Sequence, residues 1–145
     1  MIKKKIKLDF LPITITLVII ENKDEDYCGI VTNMRDTFAT GRTITNNHGG
    51  VCIAIDSSTY NCNLEYLSHE IEHAVDYIEE YINQETIPLN EYRAYLIGYL
   101  NKRITTYFLE SGYTIQKDKG DYFWIKNNKE VECLTHHTNI EVAIN

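Results

Sequence analysis

Basic residues are the scarce charge in this chain. Fourteen lysines and arginines stand against 21 aspartates and glutamates, a formal net charge of −7, and apart from Lys3, Lys4, Lys5 and Lys7 they are scattered. That balance argues against a nucleic-acid surface, which gathers positive charge on one face. The four cysteines, Cys28, Cys52, Cys62 and Cys133, form no CxxC pair, which disfavours a zinc ribbon and leaves buried thiols as the expectation. No apolar run is long enough to span a bilayer. The run from Phe10 to Ile20 follows lysines as a signal sequence would, but Glu21-Asn22-Lys23-Asp24-Glu25-Asp26 stands where a small-residue cleavage site belongs. The expectation is a cytoplasmic protein with reduced thiols and no membrane contact. No repeat, linker or low-complexity block interrupts residues 1–145, 43% of them hydrophobic, so a single domain with its own core is expected.

Two periodicities are present. Ile6, Leu8 and Phe10, then Ile13, Ile15, Leu17 and Ile19, alternate with period two around Pro12 and predict two strands. Gly29 to Met34 and Gly50 to Asp56 read as further strands. Leu64, Leu67, Ile71, Ala74, Val75, Ile78 and Ile82 recur at three and four, predicting a helix from about Cys62 to Ile82 with Asn63 as its N-cap. A second helix, opened by Thr86 or Asn90 around Pro88, carries Tyr92, Tyr95, Leu96, Tyr99, Leu100, Ile104, Tyr107 and Phe108, and stops at Ser111-Gly112. Tyr113 to Gln116, Tyr122 to Lys126 and Val131 to Leu134 then suggest a short meander. The predicted class is α+β: a small N-terminal sheet, two packed helices and a C-terminal β meander.

Within the first helix lies His69-Glu70-Ile71-Glu72-His73, an HExxH pattern. Residues four apart on a helix sit about 40° apart around the axis and roughly 6 Å along it, so both imidazoles can close on one zinc ion. Glu70 then stands beside the ion, where it can take a proton from a water whose acidity the metal raises. The histidines flank the apolar stripe, so the site is expected where this helix meets the next layer. A third ligand is needed, and the first acid to open the second helix is Glu91, eighteen residues after His73. Glu91, Ala94 and Gly98 fall at i, i+3 and i+7, and the two small residues predict a close crossing of the helices on that strip. His136 and His137 near the C-terminus are further candidates for the third position, at most one of which would ligate, while His48 reads as a turn residue. The metzincin pattern would want glycine at position 76 and a ligand at 79, where Asp76 and Glu79 stand.

Together these residues resemble the gluzincin clan of zinc metallopeptidases. H-E-I-E-H-A-V-D-Y followed by N-E-Y-R-A-Y is similar in layout to thermolysin-like enzymes, and also to small single-domain zincin-like proteins of bacteria and phages; the likeness covers about Leu64 to Gly98. It implies zinc held by His69, His73 and Glu91, with Glu70 as general base in hydrolysis of a peptide or protein substrate. The chain departs from the thermolysin pattern at Tyr95, where an aspartate would support a ligand histidine, and Asp76 is the alternative support. Glu72 occupies a position that is usually uncharged. About fifty residues follow Glu91, fewer than the helical lower wall of the thermolysin cleft requires, which implies a shallow cleft or one completed by a protein partner. Tyr95 and Tyr99 are candidates for the oxyanion donor. The strand at Gly50 to Asp56 is expected nearest the site, offering an edge to an extended peptide. The competing reading is a metal-binding interaction or assembly protein on a zincin-like scaffold without turnover. A helix pair holding no metal is the third.

Overall fold

The structure, a computed structural model, describes residues 1–8, 11–27, 29–30, 34, 40–45, 50–58, 61–82, 89–126 and 140–142, the side chains of 82, 89–91 and 140–142 excepted. Strands β1 (Ile2–Lys7), β2 (Thr14–Ile20), β3 (Gly41–Thr45) and β4 (Gly50–Asp56) form one sheet in the order β1-β2-β4-β3. Only the β2–β4 pair is parallel. Strand β5 (Cys62–Asn63) leads into helix α1 (Leu64–Ile82), which is followed by α2 (Leu89–Glu110) and by β6 (Tyr113–Asp118), β7 (Asp121–Lys126) and β8 (Ile140–Val142). The last three join β5 in a second sheet, order β5-β7-β6-β8. The class is α+β, as the two periodicities predicted.

Period-two alternation decides which face of the first sheet meets the helices. Cross-strand rows run Ile6, Ile15, Val51, Thr45; Lys4, Leu17, Ile53, Thr43; and Ile2, Ile19, Ile55, Gly41. Their central members are buried with Leu67, Ile71, Ala74, Val75 and Ile78 of α1 and Leu96, Leu100, Ile104 and Phe108 of α2. Burying such a side chain contributes about 1.5–3 kcal/mol, so this layer is the main source of stability. On the opposite face Val18, Ile20 and Ala54 pack against Ile30 and Met34. Those two are helical and Gly29 lies in a turn, in place of the strand expected over Gly29 to Met34; residues 31–33 lie outside the described residues, and both Ile30 and Met34 meet the sheet.

The ends of the elements follow local chemistry. Asn63 Oδ1 accepts from the Glu65 amide at 2.9 Å, an N-cap for α1. At the far end of α2, Gly112 takes φ +88° and the Ser111 and Gly112 amides donate to the carbonyls of Tyr107 and Leu109. The β6–β7 hairpin turns on Lys119 and Gly120, both at positive φ, the geometry that a two-residue loop needs to match strand twist. Phe108 stacks on Trp124 at 4.8 Å between centroids and tethers the second sheet to α2. None of the described helices is long and apolar enough to cross a membrane. Val131 to Leu134, Thr86, Pro88, His48, His136, His137, Cys28 and Cys133 lie outside the described residues.

The strip predicted to pack α2 against α1 faces the other way. Ala94 and Gly98 are exposed, and a Cβ built on Gly98 would meet nothing within 4 Å. The face of α2 turned to α1 is that of Leu96 and Leu100, with Arg93 at its N-terminal end. Gly98→Leu should therefore stabilise the fold by about 0.5–1 kcal/mol through helix propensity. A urea midpoint lowered by this substitution would show that the strip is packed.

Candidate metal centre

Helix α1 is rotated by its buried stripe, and that rotation distributes the motif. Leu67, Ile71, Ala74, Val75 and Ile78 face the sheet, Glu70 is drawn under β3, and His69 and His73 emerge at the surface. The expectation of a site buried between layers is thus corrected: the base candidate is buried at 8% exposure while both imidazoles are exposed. Their Nε2 atoms lie 3.0 Å apart, with ring planes at 88° and centroids 4.6 Å apart. Two nitrogens at zinc-bond length and tetrahedral angle would be about 3.3 Å apart. The separation is near that of two ligands on one ion, and it is also that of a hydrogen bond between one protonated and one unprotonated nitrogen. Among the described residues no third histidine, cysteine, aspartate or glutamate joins them in a metal-ligating group.

Glu70 is fixed by β3. Thr43 Oγ1 lies 2.8 Å from Glu70 Oε1 and 2.9 Å from the Glu70 carbonyl oxygen, so its single proton serves one or the other. Two residues earlier, on the same face, Gly41 makes room: an added Cβ would stand 3.0 Å from Glu70 Cγ and 3.1 Å from Ile55 Cδ1. Both residues belong to an edge strand absent from the sequence expectations, and β4, expected nearest the site, lies inside the sheet. The signal that could have found β3 is the alternation Gly41-Arg42-Thr43-Ile44-Thr45 just before Asn46-Asn47-His48-Gly49-Gly50, a loop composition that joins hairpin strands. Among the described residues, Thr43 is the donor recorded on the carboxylate, at Oε1.

The other candidate residues are dispersed. Asp76, considered as support for an imidazole, instead accepts from Arg93 Nη1 at 2.8 Å. Arg93 Nη2 also pairs with Glu72, and Nη1 lies 3.1 Å from Glu79. The hydrogen bond to Asp76, then that to Glu79, holds the Arg93 guanidinium above its ordinary pKa. Tyr95 is 61% exposed and stacks on Tyr99 at 6.4 Å between centroids. The Tyr99 hydroxyl reaches the Lys7 carbonyl at 3.4 Å, on the edge strand three interstrand spacings, about 14 Å, from β3. Neither tyrosine is thereby brought to Glu70. Glu91 falls in the first turn of α2, and by helical spacing it shares the strip of exposed Ala94 and Gly98, about 200° around the axis from Arg93. That strip no longer supports Glu91 as a ligand. Cys62 is buried, which pushes its thiol up to about 12, as suits a core residue rather than a thiolate ligand.

No protein-family model, no curated protein and no solved structure matches the chain. The local geometry alone carries a consequence for stability. Thr43→Val keeps the shape of β3 but leaves the buried Glu70 carboxylate without its donor, at an expected cost of about 1–3 kcal/mol. Urea denaturation of Thr43→Val beside Thr43→Ser measures it: the serine variant should recover most of the loss, and equal stability of valine variant and wild type would disprove the bond's role.

Proposed function

We propose that this chain is a zinc-dependent metallopeptidase of gluzincin type, with His69 and His73 as ligands and Glu70 as general base. The observation that carries the reading is the convergence of two imidazole nitrogens to 3.0 Å on the same helical turn as Glu70, whose carboxylate is anchored by an edge strand. The third ligand falls to a side chain outside those described; Glu91 is the first to test, followed by His136 and His137. Bound zinc would supply Lewis acidity, polarising a scissile carbonyl and lowering the pKa of water. Glu70 uses Oε2 to take the proton of the attacking water and returns it to the leaving amine, while Thr43 holds Oε1. Strand β3 has no neighbour on its outer edge among the described residues, and an extended peptide substrate would add there by main-chain pairing. A protein partner completing the cleft and a cytoplasmic setting belong to the same reading.

A second reading is favoured by one observation. Glu70 is buried and hydrogen-bonded as a structural carboxylate would be, while the imidazole pair stands in the open. A metal-binding interaction or assembly protein on this scaffold would need no more.

Two measurements test the proposal. His73→Ala should lose zinc, and excess chelator should lower the wild-type Tm by about 5–10 °C, the shift expected when an ion at a hundredfold excess over Kd is removed. Equal zinc content in mutant and wild type would count against the ligand assignment. Glu70→Gln should retain zinc and abolish cleavage of a broad peptide library, because an amide cannot accept the proton. Cleavage by the glutamine variant at the wild-type rate would remove Glu70 as the base; no cleavage by either protein would favour the scaffold reading.

A further inference from the structure

Arg93 occupies an unusual place on α2. The series 93, 96, 100, 104 is the core-facing side of the helix, filled by Leu96, Leu100 and Ile104, and a guanidinium stands where the pattern would next place an apolar side chain. Three carboxylates of α1 answer it: Glu72, Asp76 and Glu79. Two of these bear on the imidazole pair. Glu72 lies three residues after His69, and Asp76 three residues after His73. At that spacing a helix presents a carboxylate and an imidazole to the same ion. By spacing each histidine has a carboxylate within reach on its own helix; among the described residues neither carboxylate forms a metal-ligating group with the pair, and both are paired with Arg93.

We propose that Arg93 is a positioning residue that withholds Glu72 and Asp76 from the ion held by His69 and His73, keeping the remaining coordination positions open. The inference rests on the zinc reading above and names what keeps that site from closing on itself. The fork of the guanidinium suits the task. Its two terminal nitrogens engage two carboxylates at once, Nη1 at 2.8 Å from Asp76 and Nη2 on Glu72, and it carries its charge at every pH the protein meets. A lysine would offer one point of attachment. Three acids and one arginine still leave a local charge of about −2 beside the imidazoles, so the attraction for a dication is kept while the oxygen atoms are held away.

The test compares wild type, Arg93→Met, Glu72→Gln/Asp76→Asn and the triple variant, by zinc affinity in chelator competition and by the visible spectrum of the cobalt(II)-loaded protein. Arg93→Met should bind zinc about tenfold or more tightly, on the scale by which groups around a site tune affinity, with a changed cobalt spectrum; the triple variant should restore both. The Glu72→Gln/Asp76→Asn protein, with Arg93 in place, should keep the wild-type spectrum and lose no more than about threefold in affinity, from two screened charges. An Arg93→Met protein with wild-type affinity and spectrum overturns the proposal. So does loss of zinc by the double variant, which would make those carboxylates ligands already. Should Arg93→Met fail to fold, the double variant decides alone. A wild type that binds neither metal instead overturns the zinc reading, an outcome distinct from the others.

Discussion

A single buried carboxylate organises this molecule. Glu70 enters the space between α1 and β3 because Gly41 leaves a gap for its Cγ and Thr43 supplies a donor for Oε1. Without that donor the charge would be costly to bury. Once Glu70 is set, helical geometry fixes its neighbours: His69 and His73 lie 100° and 60° around the axis on the same side, which is the surface beside the edge of the sheet. The two imidazoles therefore meet each other and not the core. The partition of the motif into one buried acid and two exposed bases follows from the rotation that the apolar stripe gives α1, with Gly41 and Thr43 of the outermost strand making the seat for Glu70.

The second constraint is electrostatic. Helix α1 carries a flank of acids at 72, 76 and 79 that would repel one another on an isolated helix, and Arg93 from α2 relieves this. Partly exposed pairs each contribute only about 0–1 kcal/mol, so the apolar layer of Leu96, Leu100, Ile104 and Phe108 does most of the docking. The arginine adds to an orientation that the packed layer already sets: with Leu96, Leu100, Ile104 and Phe108 buried, Ala94 and Gly98 fall on the outward strip.

Much of this was readable in the residues, and the failures have physical causes. Period-two alternation gave β1, β2 and β4, and the three-four stripe with Asn63 gave α1, because each buries one face and the pattern records which. Strand β3 is marked only weakly, because its helix-facing positions hold Gly41 and Thr43 in place of apolar residues, and the alternation of Arg42, Thr43, Ile44 and Thr45 is polar. Ile30 and Met34 were misassigned because a short apolar run does not distinguish a turn of helix from a strand. The small residues Ala94 and Gly98 predict a packed seam yet face solvent, because smallness alone is equally compatible with either; the informative residue on α2 is Arg93, a charge set in line with the apolar stripe. In the candidate site the imidazole pair and its acid followed from HExxH spacing, whereas Thr43, Gly41 and Arg93 required tertiary structure, since no local pattern links positions 41 and 43 to 70 or 93 to 72.

The exposure of the imidazoles has a consequence for any chemistry at this surface. Electrostatic stabilisation is strongest where water is excluded, because the effective dielectric falls and donors are held in place. Here the described residues provide a floor, α1, and one side, β3, but the face above His69 and His73 is open. An extended peptide lying along the outer edge of β3 would itself cover part of that face, so that binding and exclusion of water would occur in one step. A second protein surface seated there would do the same without any reaction. Under either proposed reading the occupant would meet the same anchored Glu70 and the same open imidazole pair, and what would separate the two is whether Oε2 of Glu70 faced a scissile bond once the face was covered.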